Sequence, residues 1–136
     1  TRFSTQGGDT HGHHTASAIL AEEAFRVAAD PTFHPEQLKH AGVWQAKRIY
    51  WNRSVWGGSK PSDDMLSLPK LDSGGYNAAL GLSYGELAAD SRSMHKSQGF
   101  GATRTRGSSW DYFQSLQPSA KSPAVGSDIF SGLDFS

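Results

Sequence analysis

Two stretches of this chain repeat apolar residues at helical spacing. From Thr15 to Ala29, Leu20, Ala24, Val27 and Ala28 form a stripe with Glu22, Glu23 and Arg26 off it, which predicts a helix with one packed and one wet face. Asp30-Pro31 is the expected stop, because a proline ring disfavours helical backbone in the residue before it. The second stretch runs from about Tyr84 to Lys96 with Leu87, Ala88, Ser91, Met94 and His95 on its stripe, and Gly99 or Gly101 beyond to end it. Ser83 stands three residues before Glu86, the spacing at which each side chain satisfies a backbone N–H of the other at a helix opening.

Between and after these helices the pattern is β-prone or broken. Arg48-Ile49-Tyr50-Trp51 and Trp110-Asp111-Tyr112-Phe113 are short runs suited to strands. Trp56 to Tyr76 holds Gly57-Gly58, Pro61, Pro69 and Gly74-Gly75 without persistent periodicity and is expected to be a long loop bordering a site. Residues 117–136 read as an extended tail, rich in Pro, Ser, Ala and Gly as far as Ser127, with Ile129, Phe130 and Leu133 available to dock it back. Helices alternating with strands point to an α/β arrangement in one domain or part of one, since 136 residues support only a modest core.

Composition removes several classes of function. Thirteen basic and thirteen acidic side chains cancel, so no charge excess draws the chain to nucleic acid. The absence of cysteine excludes disulfides, thiolate zinc sites and cysteine nucleophiles, which leaves His and carboxylates as metal ligands. No run approaches the roughly 20 apolar residues that span a bilayer as a helix, so no transmembrane segment is expected. The opening at Thr1 is read as the loss of a leader or upstream segment. Asn52-Arg53-Ser54 fits the glycosylation sequon, a triplet common by chance. Neither Gly7-Gly8 nor Gly99-Phe100-Gly101 is followed by the Lys-Ser/Thr helix start of a phosphate-cradling loop, so nucleotide binding has no support.

The densest chemistry lies in Asp9-Thr10-His11-Gly12-His13-His14-Thr15, three imidazoles in four positions at the mouth of the first helix. Neutral imidazole is the commonest side-chain ligand of catalytic zinc. On a helix His11 and His14 share a face while His13 turns away, so one of the pair is suited to the metal and the other to the substrate. A surface turn that binds nothing weighs about equally from spacing alone. Asp63-Asp64, adjacent in a Pro/Ser loop, fits a solvated turn better than an acid/base dyad. Ser91-Arg92-Ser93-Met94-His95 places Ser91 and His95 on one helix face ahead of glycines that permit close approach of a ligand, and makes Arg92 and His95 substrate-binding candidates.

These residues carry a resemblance. Gly8 to Ala29 with His11-Gly12-His13-His14, then Glu23-Ala24-Phe25-Arg26-Val27-Ala28-Ala29-Asp30-Pro31, resembles the second conserved segment of the PIG-L/LmbE-like de-N-acetylase family. Phe33-His34-Pro35-Glu36-Gln37-Leu38, Trp44-Gln45-Ala46-Lys47-Arg48-Ile49-Tyr50, Tyr84-Gly85-Glu86-Leu87-Ala88 and the run from Ser91 to Gly99 are similar to a bacterial branch of it. The resemblance implies a Rossmann-like α/β fold, present here as its C-terminal portion, and a zinc-dependent amidase that removes N-acetyl groups from amino sugars of the N-acetylglucosamine type.

It further implies that His14 is a zinc ligand and that His11 is the catalytic histidine that polarises the amide carbonyl. The family's first motif, Ala-His-Pro-Asp-Asp-Glu, brings the other two zinc ligands and the general base, and this sequence does not contain it. His13 stands where the second motif commonly has Asp, the residue expected to orient the first histidine, and Asp9 is a conceivable substitute. The implied partners are therefore the missing N-terminal segment, on the same or another chain, and a small amino-sugar substrate; the isolated chain is expected to be inactive. Two further readings compete with it. One is a non-catalytic carbohydrate-binding or interaction module, for which four Trp and four Tyr allow sugar stacking; the other is a His-rich metal buffer.

Overall fold

The computed structural model describes residues 1–8, 10–55, 59–98, 101–117 and 128–134. It is a small mixed α/β structure that divides into two compact units, Thr1–Pro69 with Phe113–Ser136, and Lys70–Tyr112.

In the first unit, helix α1 spans Gly12–Val27. Ala16, Ala18, Ala21 and Ala24 supply strong helix formers, and Arg26 in the last turn complements the negative end of the dipole. The helix opens three residues earlier than the pattern predicts and ends before Asp30-Pro31. Its end is set by a turn: the Asp30 N–H donates to the Val27 carbonyl, the Asp30 carboxylate accepts from the Thr32 N–H and hydroxyl, and the Ala28 carbonyl is taken by the Trp44 N–H.

The packed face of α1 is not the expected stripe. Ala18 is fully buried and Ala21, Glu22 and Phe25 are half-buried, whereas Leu20 is 62 % exposed and Ala24 and Ala28 are also exposed. The helix thus has two apolar sides, and periodicity alone could not say which one the chain would cover.

A 3-10 turn at Pro35–Lys39 leads to strand β1, Tyr50–Ser54. The Thr1 nitrogen donates to the Tyr50 carbonyl at 2.7 Å, and the Asn52 N–H donates to the Thr1 carbonyl at 2.9 Å. Thr1 is thus bonded to both neighbours of Trp51. A short helix α2, Asp63–Leu66, follows, with Met65 buried. Arg48 docks the chain's end by donating to the carbonyls of Ile129 (2.6 Å) and Ser131.

The second unit holds β2 (Lys70–Asp72), β3 (Tyr76–Asn77), β4 (Leu82–Ser83) and α3 (Tyr84–Ser93). Strand β5, Trp110–Ser115, is central in a three-stranded sheet of order β1-β5-β2. β2 and β5 are antiparallel, with Leu71 opposite Asp111, and β3 and β4 form an antiparallel pair. No parallel sheet of the Rossmann kind occurs among the described residues. The expected loop Trp56 to Tyr76 instead contains α2 and β2, the latter formed by pairing with a strand distant in sequence.

Polar contacts hold this unit together. Ser83 and Glu86 form the predicted capping box, and the buried Glu86 carboxylate also receives the Arg106 guanidinium at 2.9 Å. Arg104 makes two bonds to Asp90, both 2.7 Å. Gly74 is buried where the backbone of residues 107–109 crosses it: an added Cβ would stand 2.2 Å from the Gly107 carbonyl oxygen.

Candidate functional site

The three histidines are gathered at the opening of α1. His11 is the N-cap, with extended backbone (φ −64°, ψ 144°), and its carbonyl accepts from the His14 and Thr15 N–H groups. Because His11 precedes the helix, helical face counting does not apply to it. His13 consequently does not turn away: its ring centroid lies 4.1 Å from that of His14 and 5.8 Å from that of His11, while His11 and His14 are 5.8 Å apart.

His14 is the most constrained of the three. The Phe3 ring stacks on it at 4.0 Å with planes 2° apart, and its Nδ1 lies 2.9 Å from the Thr10 hydroxyl. With Nδ1 engaged by Thr10, Nε2 is the nitrogen left to a further partner. Partial burial, then the neighbouring His13 and His11, hold the His14 pKa below its ordinary value and favour neutral imidazole, the form that binds a metal. Among the described residues no group of three His, Cys, Asp or Glu side chains is arranged to hold a metal ion. Asp9 lies outside the described residues.

The other expected site residues belong to the second unit. α3 ends at Ser93, because the Ser93 hydroxyl turns back to the Ala89 carbonyl and receives the Ala102 N–H. His95 therefore follows the helix and shares no helical face with Ser91, and both Arg92 and His95 are exposed. The expected stripe of α3 is likewise displaced: Glu86 and Ala89 are buried, while Met94 is 73 % exposed. Of the Asp63-Asp64 pair, Asp64 is tied to Arg53, which fits a structural turn.

Sequence reasoning missed a cleft of about 140 Å³ in the first unit, lined by Phe3, Ser4, Gln6, Glu22, Trp51 and Gln114 among others. Phe3 lines it and also stacks on His14. The sequence carried no signal for Gln114, which reaches the cleft only through the sheet. Thr10 was legible in principle, four residues ahead of His14. Family models, curated proteins and solved structures yield no match to this chain. No helix among the described residues is long and apolar enough to cross a membrane.

Proposed function

We propose that this chain is the C-terminal portion of a zinc-dependent N-deacetylase with a Rossmann-like architecture, acting on N-acetylglucosamine-type sugars. The observation that carries this reading is the gathering of three imidazoles at the opening of α1, with His14 held by Phe3 and Thr10. The resemblance of this same segment to the second de-N-acetylase motif supports the chemistry.

His14 fits a metal ligand's role. Thr10 fixes its ring through Nδ1, the outer-shell contact typical of ligating histidines, and leaves Nε2 for the ion. Zinc, when bound, supplies a Lewis acid that brings the pKa of a water toward 7. His11, exposed at the helix opening, donates a hydrogen bond to the amide oxygen and steadies the negative charge that develops there. His13, its ring centroid 4.1 Å from that of His14, stands where the family commonly has Asp and helps keep His14 neutral. The two remaining ligands and the general base come from the first motif, on polypeptide outside this sequence.

The test is zinc content and acetate release from N-acetylglucosamine substrates by the protein carrying both motifs. His14→Ala should lose zinc and activity together, and His11→Ala should keep zinc while activity falls roughly 100-fold or more. Acetate release that survives His14→Ala overturns the reading. Sugar binding with neither zinc nor turnover replaces it with the carbohydrate-binding module, the alternative that the Trp51 cleft favours.

A further inference from the structure

Among the described residues, strand β2 ends one side of the three-stranded sheet and pairs with β5 alone. The register decides which of its backbone groups face outward. The Ser73 N–H donates to the Ser109 carbonyl at 2.7 Å and the Phe113 N–H to the Pro69 carbonyl at 2.8 Å, so Pro69, Leu71 and Ser73 are the positions bonded to β5 in this antiparallel ladder. The N–H and C=O groups of Lys70 and Asp72 therefore point to the open edge, where they have no partner among the described residues. Lys70 and Leu71 are exposed, Leu71 by 49 %. The Asp72 carboxylate accepts from the Gly74 and Ser109 N–H groups, both at 2.9 Å; these neutral donors fix its position and leave its charge uncompensated at hydrogen-bond range. The Lys70 ammonium lies 4.6 Å from the Trp110 ring centroid.

From this edge we infer that two copies of the chain associate through β2, antiparallel about Leu71, into one continuous sheet of order β1-β5-β2-β2-β5-β1. The segment Lys70-Leu71-Asp72 complements itself in that orientation. Lys70 of each copy meets Asp72 of the other as a hydrogen-bonded pair that exchanges both N–H···O bonds, with ammonium and carboxylate neighbours on one face. Leu71 meets Leu71 of the other copy as the non-hydrogen-bonded pair, the closer kind, and each side chain covers the other on the opposite face. A parallel pairing in register, or a slipped antiparallel one, sets Lys70 beside Lys70 or Asp72 beside Asp72. The charges that ordinarily blunt a strand edge thus select one partner and one register here. Thirteen basic and thirteen acidic side chains cancel, so whole copies do not repel each other. So short a strand buries little surface, which makes the dimer weak, with a Kd of the order of 0.1 mM. This inference stands apart from the zinc reading, since β2 carries none of the proposed site residues.

The test is sedimentation equilibrium of the intact chain from about 10 µM to about 1 mM, with backbone amide exchange read by NMR at both ends of that range. The mass should rise from monomer toward dimer, and the Lys70 and Asp72 amides should slow several-fold as it does. The Leu71 amide, already bonded to β5, should be slow throughout. Lys70→Glu, at an exposed position, should weaken dimerisation by about tenfold or more. Asp72→Lys should do the same, and an equimolar mixture of the two variants should dimerise again, because each swapped charge then meets its opposite. If Asp72→Lys fails to fold for want of its Gly74 and Ser109 contacts, Lys70→Glu and the exchange pattern of the unmodified chain decide the matter. A chain that stays monomeric at the highest concentration overturns the inference. So does association that leaves the Lys70 and Asp72 amides exchanging as in the monomer, association undiminished by Lys70→Glu, or a mixture of two folded variants that does not dimerise.

Discussion

His14 shows how position in a fold changes one side chain's chemistry. Phe3 covers its ring and two imidazoles stand beside it, so charging it in the folded chain is harder than in the unfolded chain, where its pKa is the ordinary 6.5. The sign follows from proton binding. Below about pH 6.5 the unfolded chain holds more protons at this residue, so its contribution to stability is complete above that pH and is lost on acidification. Replacing Phe3 by Leu should therefore raise the His14 midpoint in an NMR titration toward 6.5, and removing the ring's charge with His14→Gln should flatten the acid-side fall of the melting temperature. A His14 midpoint unchanged by Phe3→Leu would mean that the stack does not govern it.

Glu86 has the same sign, in a lower pH window. The Ser83 N–H and then the Arg106 guanidinium hold its carboxyl below the usual carboxylate range, against the effect of its burial. Its contribution is present above the unfolded pKa and lost as pH falls through the folded one. Glu86→Gln should lower the melting temperature near neutral pH and narrow the gap to wild type in acid. An equal deficit at every pH would assign the loss to shape rather than charge.

At the scale of elements, the second unit depends on the α3 cap and on one close backbone crossing at Gly74. Ser83→Ala removes the acceptor of the Glu86 N–H and should cost about 1 kcal/mol, measurable by urea unfolding. Gly74→Ala should cost more, about 1–3 kcal/mol or above, because its new methyl meets backbone of residues 107–109 that cannot swing aside. Gly81→Ala is the control: its φ of +67° disfavours a side chain, but nothing lies within 4 Å, so the loss should stay near 1 kcal/mol.

This contrast also marks what the sequence made legible. The capping box spans three residues and was readable, as were the existence of α1 and α3 and the strand cores in β1 and β5. Strand β2 was not, since Leu71 becomes a strand only opposite Asp111. The end of α3 escaped because it is fixed by Ser93 reaching Ala102, a contact that no glycine count reveals. The histidines were found at once, but their mutual geometry was misjudged because His11 caps the helix instead of belonging to it.

The whole molecule is electrically balanced, with a sequence pI near 7.0, and leaves much apolar side chain in water. Mutual repulsion between copies is weakest near neutral pH, where solubility should be lowest. On α1 the exposed stripe includes Leu20, 62 % accessible, and Ile19, 48 % accessible, opposite the face that buries Ala18. Parallel α/β folds cover such helices with further elements, and the proposed enzyme would do so with the polypeptide that brings the first motif. Leu20→Lys discriminates. In this chain alone the substitution removes no packing, so it should change stability by less than about 0.5 kcal/mol and reduce self-association in light scattering. In the protein carrying both motifs the same change places a charge under a covering element and should destabilise by about 2 kcal/mol or more, with loss of zinc retention. Equal tolerance in both contexts would mean that the stripe faces water in the complete protein and that the added polypeptide packs elsewhere.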